Sequence, residues 1–301
     1  MKLTAAEHFQ NAQRRSRQGD DPGTLADLNR TIKADTGFAI AYFARGEMRR
    51  SLGDPKKAIA DYNVAIQLQP DLTLAYMGRG NARRNLGDRA GSFDDFTNAA
   101  QLEPENPAAH VGLGFARPED DAKSQVADFN RAIQLDPKYA EAYFGRALAQ
   151  MGTKASVADF TKALKLNPKH GIALLYRGDA YSAQGSDDKA VADYTRALEL
   201  GVAASTQIYT KRAASLLKTG NVRAALADCN TALQNTPKPG PAYLIRGTAN
   251  FALGKINEAI ADLKRAIKLE PALEGAAIQV LDAAQRYQQA KNNRQSTKRN
   301  P

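Results

Sequence analysis

Small, apolar and polar residues alternate along this chain with the spacing of amphipathic helices, and the predicted helices come in pairs. In residues 39–72, Tyr42 and Gly46 lie on one face of a first predicted helix. Segment 52–55, Leu-Gly-Asp-Pro, ends that helix, because glycine suits a helix C-terminus while Asp and Pro favour the start of the next helix. A second helix is predicted over about 55–68. The unit is therefore a helix-turn-helix.

This unit recurs at a fixed interval. The counterpart of Gly46 is Gly80, 34 residues further along, and a period of that size is typical of stacked two-helix repeats. Each unit needs neighbours to cover its apolar face, so the pattern predicts an elongated array and favours a binding surface over an active site. We number the predicted repeats 1 to 8 and name their two helices A and B. The repeats span 5–38, 39–72, 73–106, 107–139, 140–170, 171–205, 206–239 and 240–273.

Repeat 2 illustrates the residue pattern. It carries an aromatic residue at its fourth position, Gly at the eighth, Ala at the twentieth, an aromatic at the twenty-fourth, Ala at the twenty-seventh and Pro at the thirty-second. These are Tyr42, Gly46, Ala58, Tyr62, Ala65 and Pro70. In this pattern the chain resembles the tetratricopeptide repeat (TPR) family over most of its length. The resemblance implies an all-α fold, a right-handed α-solenoid of about eight helix-turn-helix repeats with a C-terminal capping helix.

The C-terminal part and the middle of the chain depart from this pattern. Beyond the last repeat, a capping helix is predicted over 272–289, with one apolar and one polar face. We assign residues 1–290 to the array. Residues 291–301 have almost no apolar content and are expected to form a disordered basic tail. Residues 107–205 are the least regular, which indicates either drift in tolerant turns or a hinge.

Composition narrows the function classes. The net charge is +10, and residues 286–301 supply half of the excess, so the array itself is no strong polyanion-binding surface. Cys229 is the single cysteine and the three histidines do not cluster, so no disulfide, metal site or cofactor is expected. The sequence contains no catalytic motif, and we predict that the protein is not an enzyme. No apolar run suits a membrane span or a signal peptide, which predicts a cytoplasmic location, with export after removal of a leader left open. We also expect a monomer.

Two charged residue types recur beside the predicted core. Arg occupies the seventh position of six repeats: Arg45, Arg79, Arg146, Arg177, Arg212 and Arg246. Asp recurs in helix B of all eight: Asp27, Asp61, Asp95, Asp128, Asp159, Asp193, Asp228 and Asp262. One interpretation makes this series a charge ladder for a ligand. We favour the other, in which each Arg pairs with an Asp on a packed neighbouring helix and fixes the register.

The resemblance also implies where a ligand binds, since in this family helix A lines the concave surface. The candidate partner-binding residues, at its second, fifth, ninth and twelfth positions, are Phe9, Ile40, Phe43, Glu47, Arg50, Leu74, Met77, Asn81, Arg84, Phe144, Leu175, Asp179 and Leu244. Such a stripe suits a protein or peptide segment with spaced hydrophobic residues. The alternative is that the fifth-position residues only pack between helices. If this stripe binds a partner, Phe43, Met77 and Phe144 should be exposed. An exposed apolar track usually marks a partner site.

Two ligand modes of the family lack their residues here. A carboxylate clamp for chaperone tails would place Lys where Phe43, Met77 and Val111 stand, and an asparagine ladder would need Asn where Ala44 and Gly78 stand. The leading prediction is a non-catalytic scaffold or adaptor that binds a peptide segment of a partner in the concave groove. One alternative is a nucleic-acid-associated protein, disfavoured because the tyrosines are assigned to the core. Its basic surface would combine the tail with Arg49, Arg50, Arg83 and Arg84. The other alternative is a non-catalytic arm of a larger enzyme.

Overall fold

The fold is helical throughout the residues that the structure describes, 3–203, 205–235 and 237–297. A computed structural model of the chain shows seventeen α-helices and one 3-10 turn in these ranges, and no β-strand. The chain divides into two compact units, Met1–Gln150 (unit 1) and Met151–Pro301 (unit 2). The helices of unit 1 are α1 (Ala5–Arg17), α2 (Asp21–Ala34), α3 (Ala39–Ser51), α4 (Pro55–Leu68), α5 (Thr73–Asn85), α6 (Arg89–Leu102), α7 (Pro107–Ala116), α8 (Ala122–Leu135) and α9 (Ala140–Ala149). Those of unit 2 are α10 (Lys154–Leu166), α11 (Gly171–Ala183), α12 (Asp187–Glu199), α13 (Ser205–Lys218), α14 (Val222–Asn235), α15 (Gly240–Ala252), α16 (Ile256–Leu269) and α17 (Glu274–Thr297), with the 3-10 turn at Pro271–Leu273.

Helices α1 to α16 form the eight predicted pairs. Each odd-numbered helix is helix A of its repeat, each even-numbered helix is helix B, and their bounds fall within the predicted repeats. Where both helices of a repeat lie in one unit, helices A and B pack against each other. Helix A also contacts helix A of a following repeat, as α3 does with α5 and α13 with α15. The predicted all-α solenoid of sixteen repeat helices plus a final helix is therefore confirmed.

The turn between α3 and α4 shows how the sequence sets the helix ends. Gly53 has a φ of +81°, a left-handed value that glycine adopts without steric cost, and its N–H donates to the Arg50 carbonyl at 3.1 Å. The Asp54 side chain accepts a hydrogen bond from the Lys57 N–H at 3.1 Å, and Pro55 opens α4. The helix bounds predicted from this segment are confirmed.

Large aromatic side chains of helix B fill the spaces between repeats. Tyr62 of α4 is fully buried, and its ring packs between Gly46 of α3 and Gly78 of α5. A β-carbon added at Gly46 or Gly78 would lie only 2.7 or 2.8 Å from the ring, well inside the optimal separation of carbon atoms. Phe96 and Phe129 are enclosed by glycines in the same way in the next two repeats. These glycines allow the helices of neighbouring repeats to approach each other closely.

Helices α7 and α9 are shorter than the other A helices of unit 1. Each has 10 residues, against 13 in α3. Helix α7 ends at Ala116 because Pro118 disfavours the helical conformation at the preceding residue, and Arg117 accordingly has an extended ψ of 153°. Gly112 of α7 carries a packing role, since a β-carbon there would lie 2.1 Å from the Phe96 ring. The irregularity of repeats 4 and 5 therefore includes the shortening of both A helices.

The last helix packs on the array as predicted but continues further. Ala277 and Leu281 are buried against α16, whereas the helix itself runs to Thr297. Residues 291–297 are thus helical, and the expectation of a disordered tail from residue 291 is wrong for them. Polar residues can extend a helix that is already nucleated, because each added residue gains one hydrogen bond. Residues 298–301 of the predicted tail lie outside the described residues.

Candidate functional site

The recurring Arg of helix A pairs with the Asp of helix B in its own repeat. In repeat 3, Arg79 Nε lies 3.0 and 3.1 Å from the two Asp95 carboxylate oxygens, and Nη2 lies 2.6 Å from Oδ1. The same two-pronged contact joins Arg45 to Asp61, Arg177 to Asp193, Arg212 to Asp228 and Arg246 to Asp262. The structural interpretation of the charge series is confirmed for these five repeats.

The same arginines also connect neighbouring repeats. Arg79 Nη1 donates to Asn63 Oδ1 of the preceding helix B at 2.7 Å, and its guanidinium carbon lies 5.5 Å from the centre of the Tyr76 ring. Equivalent bridges run from Arg45 to Asn29, Arg146 to Asn130, Arg177 to Thr161, Arg212 to Thr195 and Arg246 to Asn230. Since these guanidinium groups are engaged on several sides, they serve the packing of repeats rather than ligand binding.

A second arginine series lies beside the first in unit 1. The sequence prediction named two of its members, Arg49 and Arg83, only as part of a basic surface and missed the series. Arg15, Arg49, Arg83 and Arg117 recur every 34 residues, and each forms an ion pair with the helix B aspartate of its repeat. In repeats 2 and 3 that aspartate therefore holds two arginines, whereas repeats 1 and 4 lack the seventh-position Arg. The 34-residue spacing was the signal that could have identified this series.

Helices α1, α2 and α3 line an open cavity of about 520 Å³ in unit 1. Four of the predicted groove residues line it: Phe9, Phe43, Glu47 and Arg50. Further apolar wall comes from residues that the prediction omitted, among them Leu28 and Met48. Apolar walls with a few polar groups are the usual make-up of a ligand site.

Two of the charged groups that line this cavity, Glu47 and Arg50, pair with each other. Glu47 Oε1 accepts a hydrogen bond from Tyr62 Oη at 2.5 Å, and Glu47 Oε2 pairs with Arg50 Nη2 at 2.8 Å. Burial raises the pKa of Tyr62, and the Glu47 carboxylate raises it further. The hydrogen bond to Glu47 also raises the pKa of the Arg50 guanidinium. Tyr62 therefore stays neutral and Arg50 stays charged at neutral pH, so these three groups carry no net charge.

The equivalent positions of repeat 3 carry a different balance of charge. Asn81 stands where repeat 2 has Glu47, and Arg84 Nη2 donates to Asn81 Oδ1 at 3.2 Å. The guanidinium of Arg84 also lies over the Phe115 ring, 5.1 Å from its centre. Burial lowers the pKa of Arg84, and the attraction of Glu141 offsets only part of this. Arg84 is thus a half-buried cation that forms no ion pair with a carboxylate of the described residues.

The apolar residues of the predicted groove differ in exposure. Ile40 is exposed and Leu74 is 50% exposed. Phe43 and Met77 are half-buried and pack against core clusters, so the expectation that they are exposed is wrong. Phe144 is only 8% exposed, so the expectation that it is exposed is wrong. Its ring lies 6.3 Å from that of an aromatic residue of α7. The alternative of packing between helices therefore applies to Phe144.

Unit 2 holds the remaining predicted groove residues. Leu175 of α11 is half-buried, and Leu244 of α15 packs against the core cluster that α16 and α17 share. Asp179 of α11 accepts a hydrogen bond from Tyr194 Oη at 2.8 Å and pairs with Lys211 Nζ at 2.6 Å. An acidic residue of helix A therefore accepts a hydrogen bond from a core tyrosine and pairs with a cation, as in repeat 2.

The described side chains include one cysteine, in the interior of unit 2. Cys229 is buried, and burial raises the pKa of its thiol to about 12, so the thiol stays protonated. His, Cys, Asp and Glu residues in the described ranges form no group of three or more that could hold a metal ion. In the same part of the chain, none of the helices has the length and hydropathy required to cross a membrane.

Comparison with known proteins bears on the family. The sequence model of the tetratricopeptide repeat matches residues 9–72, 152–205 and 210–274, more than half of the chain. RNA polymerase II-associated protein 3 of Homo sapiens is 33% identical over 100 residues, which are 33% of this chain and 15% of that protein. Hsc70-interacting protein 1 of Drosophila melanogaster is 35% identical over 96 residues, 31% of this chain and 25% of that protein. The chain therefore aligns with a quarter or less of these relatives.

Solved structures share the fold at low sequence identity. A chain of the APC/C hetero-tetramer Cut9–Hcn1 matches with a TM-score of 0.66 and 14% identity, over 88% of this chain and 52% of that one. Yeast Tom70 matches with a TM-score of 0.56 and 19% identity, over 96% of this chain and 65% of that one. At such identities the likeness shows the fold alone. The chain belongs to the tetratricopeptide repeat family, as its 34-residue period, its A–B helix pairs and the family match over more than half of its length show.

Proposed function

We propose that the chain is a non-catalytic protein-interaction scaffold that binds an extended peptide segment of a partner along the helix A face. By this face we mean the surface formed by the second, fifth, ninth and twelfth positions of the A helices. The observation that carries the proposal is the cavity between α1, α2 and α3, whose apolar walls include Phe9 and Phe43. Ile40 and Leu74 are exposed near the starts of α3 and α5. Spaced apolar side chains of a partner would fill the cavity and cover these two residues.

The relatives support a binding role. Hsc70-interacting protein 1 and RNA polymerase II-associated protein 3 are both named for association with other proteins. Because this chain aligns with only a quarter or less of each, we extend to it the general role of binding a protein segment and not their particular partners. The wall of the cavity in unit 1 comes mostly from α1 and α3, which are both A helices, and this supports the choice of that face.

The contacts in unit 1 favour a protein partner over nucleic acid. Arg49 and Arg83 are paired with buried aspartates, and Arg50 is paired with Glu47. Nucleic-acid binding draws its affinity from cations that replace the counterions of phosphate groups. Three of the four arginines that would form the basic surface already form ion pairs within the fold. Their guanidinium groups are therefore less available to phosphate groups, which supports the scaffold.

The test replaces one exposed leucine on the helix A face and one elsewhere in the same repeat. Randomised peptides displayed on phage are selected on the immobilised chain, and enriched peptides are synthesised for binding measurements by fluorescence polarisation. Leu74→Asp is expected to weaken binding by about tenfold or more, because it sets a charge against an apolar anchor. Leu86→Asp, an equally exposed position in the turn after α5, should leave binding unchanged.

Phe43 is less suited to this test, because it packs against the cluster around Tyr62 and a charge there is expected to unfold the repeat. Circular dichroism melting should show that both leucine variants remain folded. Failure of the folded chain to enrich any peptide, or an equal loss of binding in both variants, would refute the proposed peptide-binding face.

A further inference from the structure

Repeats 2 and 3 carry the same arginine at the twelfth position of helix A but a different residue three positions before it. In repeat 2, Glu47 pairs with Arg50 at 2.8 Å and cancels its charge. In repeat 3 the equivalent residue is Asn81, whose amide oxygen accepts one hydrogen bond from Arg84 at 3.2 Å and leaves the charge in place. The fold therefore contains one neutralised and one open version of the same local arrangement.

The surroundings of Arg84 prepare it to receive a carboxylate. The Phe115 ring lies beneath its guanidinium, which holds the group in place through a cation–π contact. Its half-buried position strengthens any ion pair formed there relative to one in open water. Glu141 attracts the guanidinium through space without forming an ion pair with it, so hydrogen-bonding capacity of Arg84 remains for a ligand.

We propose that Arg84 binds an acidic side chain within the peptide segment that occupies the helix A face, an inference that rests on the proposed function. The carboxylate takes the place in repeat 3 that Glu47 occupies in repeat 2. Unit 1 has two repeats before repeat 3 and further helices after it, so a segment can continue past Arg84 in both directions. The acid is therefore an internal Asp or Glu rather than a chain terminus.

The geometry of α5 also sets the spacing of the ligand. Met77 and Arg84 are seven residues apart on one helix, which corresponds to about 10 Å along the helix axis. An extended segment covers that distance in about three residues. The bound sequence should therefore carry a large apolar residue within about three residues of its acid, in either direction.

The experiment inserts the missing carboxylate into the chain. Asn81→Glu reproduces the Glu47–Arg50 pair in repeat 3 while Arg84 stays in place, and Asn81→Gln adds the same length without charge. Peptides enriched from the randomised phage library by the unaltered chain are synthesised with amidated C-termini, both as selected and with each acid replaced by its amide. Binding to the unaltered chain, Asn81→Glu, Asn81→Gln and Arg84→Met is measured by fluorescence polarisation, with melting temperatures as the check of folding.

We expect enriched peptides to share an Asp or Glu near an apolar residue. Asn81→Glu, Arg84→Met and the acid-to-amide change in the peptide should each weaken binding by about tenfold, and Asn81→Gln should weaken it less than Asn81→Glu does. Enriched peptides without a shared acid, unchanged affinity for folded Asn81→Glu, or binding that requires a free C-terminus would overturn the inference and leave peptide binding itself intact. If the folded chain enriches no peptide, the proposed function fails and this inference fails with it.

Discussion

Removal of a seventh-position arginine is expected to cost more in unit 2 than in unit 1, because the buried aspartates have different numbers of cationic partners. In repeat 3, the 1% exposed carboxylate of Asp95 is held by Arg79 and also by Arg83, at 2.6 and 2.9 Å. In repeat 7, the 9% exposed carboxylate of Asp228 is held by Arg212 alone among the described residues. The two repeats thus differ in what remains after the arginine is lost.

The structure gives the size of the difference. Arg212→Ala leaves Asp228 buried without a cation, and stranding one partner of a buried pair costs about 3–5 kcal/mol. Arg79→Ala leaves Asp95 in contact with Arg83, so the loss is that of the hydrogen bonds to a charged group, about 1.5–3 kcal/mol. The free energy of unfolding should therefore fall by about 2 kcal/mol more for Arg212→Ala than for Arg79→Ala.

Urea unfolding followed by circular dichroism measures these losses. Each unit supplies a control with an exposed ion pair, Arg89→Ala in unit 1 and Arg196→Ala in unit 2, and each control should cost at most about 1 kcal/mol. Adding Asp228→Asn to Arg212→Ala should restore part of the lost stability, because it removes the stranded charge. Equal losses for Arg79→Ala and Arg212→Ala, or no recovery in the double variant, would refute the reasoning.

Three further predictions follow from burial. Tyr62→Ala should lower the free energy of unfolding by about 3–5 kcal/mol. Lys57→Ala, on the exposed side of the same helix, should change it by no more than about 0.5 kcal/mol. Denaturant midpoints that do not separate the two variants would contradict the assignment of Tyr62 to the core. Gly78→Ala should lower the melting temperature because its β-carbon would lie 2.8 Å from the Tyr62 ring, whereas Gly275→Ala, which meets no described heavy atom within 4 Å, should raise stability by up to about 1 kcal/mol; the reverse order would show that space is not the deciding factor. With a pKa of about 12, the buried Cys229 thiol should react with a thiol reagent in mildly alkaline buffer only after urea is added, and rapid reaction of the native chain would disprove its burial.

Most of the fold could be predicted because its determinants are local and repeated. Gly53 and Asp54 mark a helix end and a helix start within two residues, and the same turn recurs in other repeats. Tyr62 could be assigned to the core from its position between small residues, and it is fully buried. The pairing of Arg79 with Asp95 also followed from the recurrence of both residue types beside core positions.

The candidate site was less predictable because it depends on contacts between different repeats. Phe144 has the same repeat position as Phe43 but is buried, since it packs near an aromatic residue of the shortened α7. The open charge of Arg84 becomes visible only when its neighbours from three repeats are placed around it. The tail prediction failed for 291–297 because low apolar content does not prevent an existing helix from continuing.

The glycine-enclosed aromatic residues have a consequence for how the chain is completed during synthesis. Gly46 covers one side of the Tyr62 ring, but Gly78, which covers the other, is made only after the rest of repeat 2 has emerged. The core of such a repeat is therefore fully packed only when the next repeat has folded against it. In a nascent chain, the last repeat synthesised still has one side of its core aromatic residue uncovered. Helix α17 provides the corresponding cover for repeat 8, since Ala277 and Leu281 pack on Leu263 of α16.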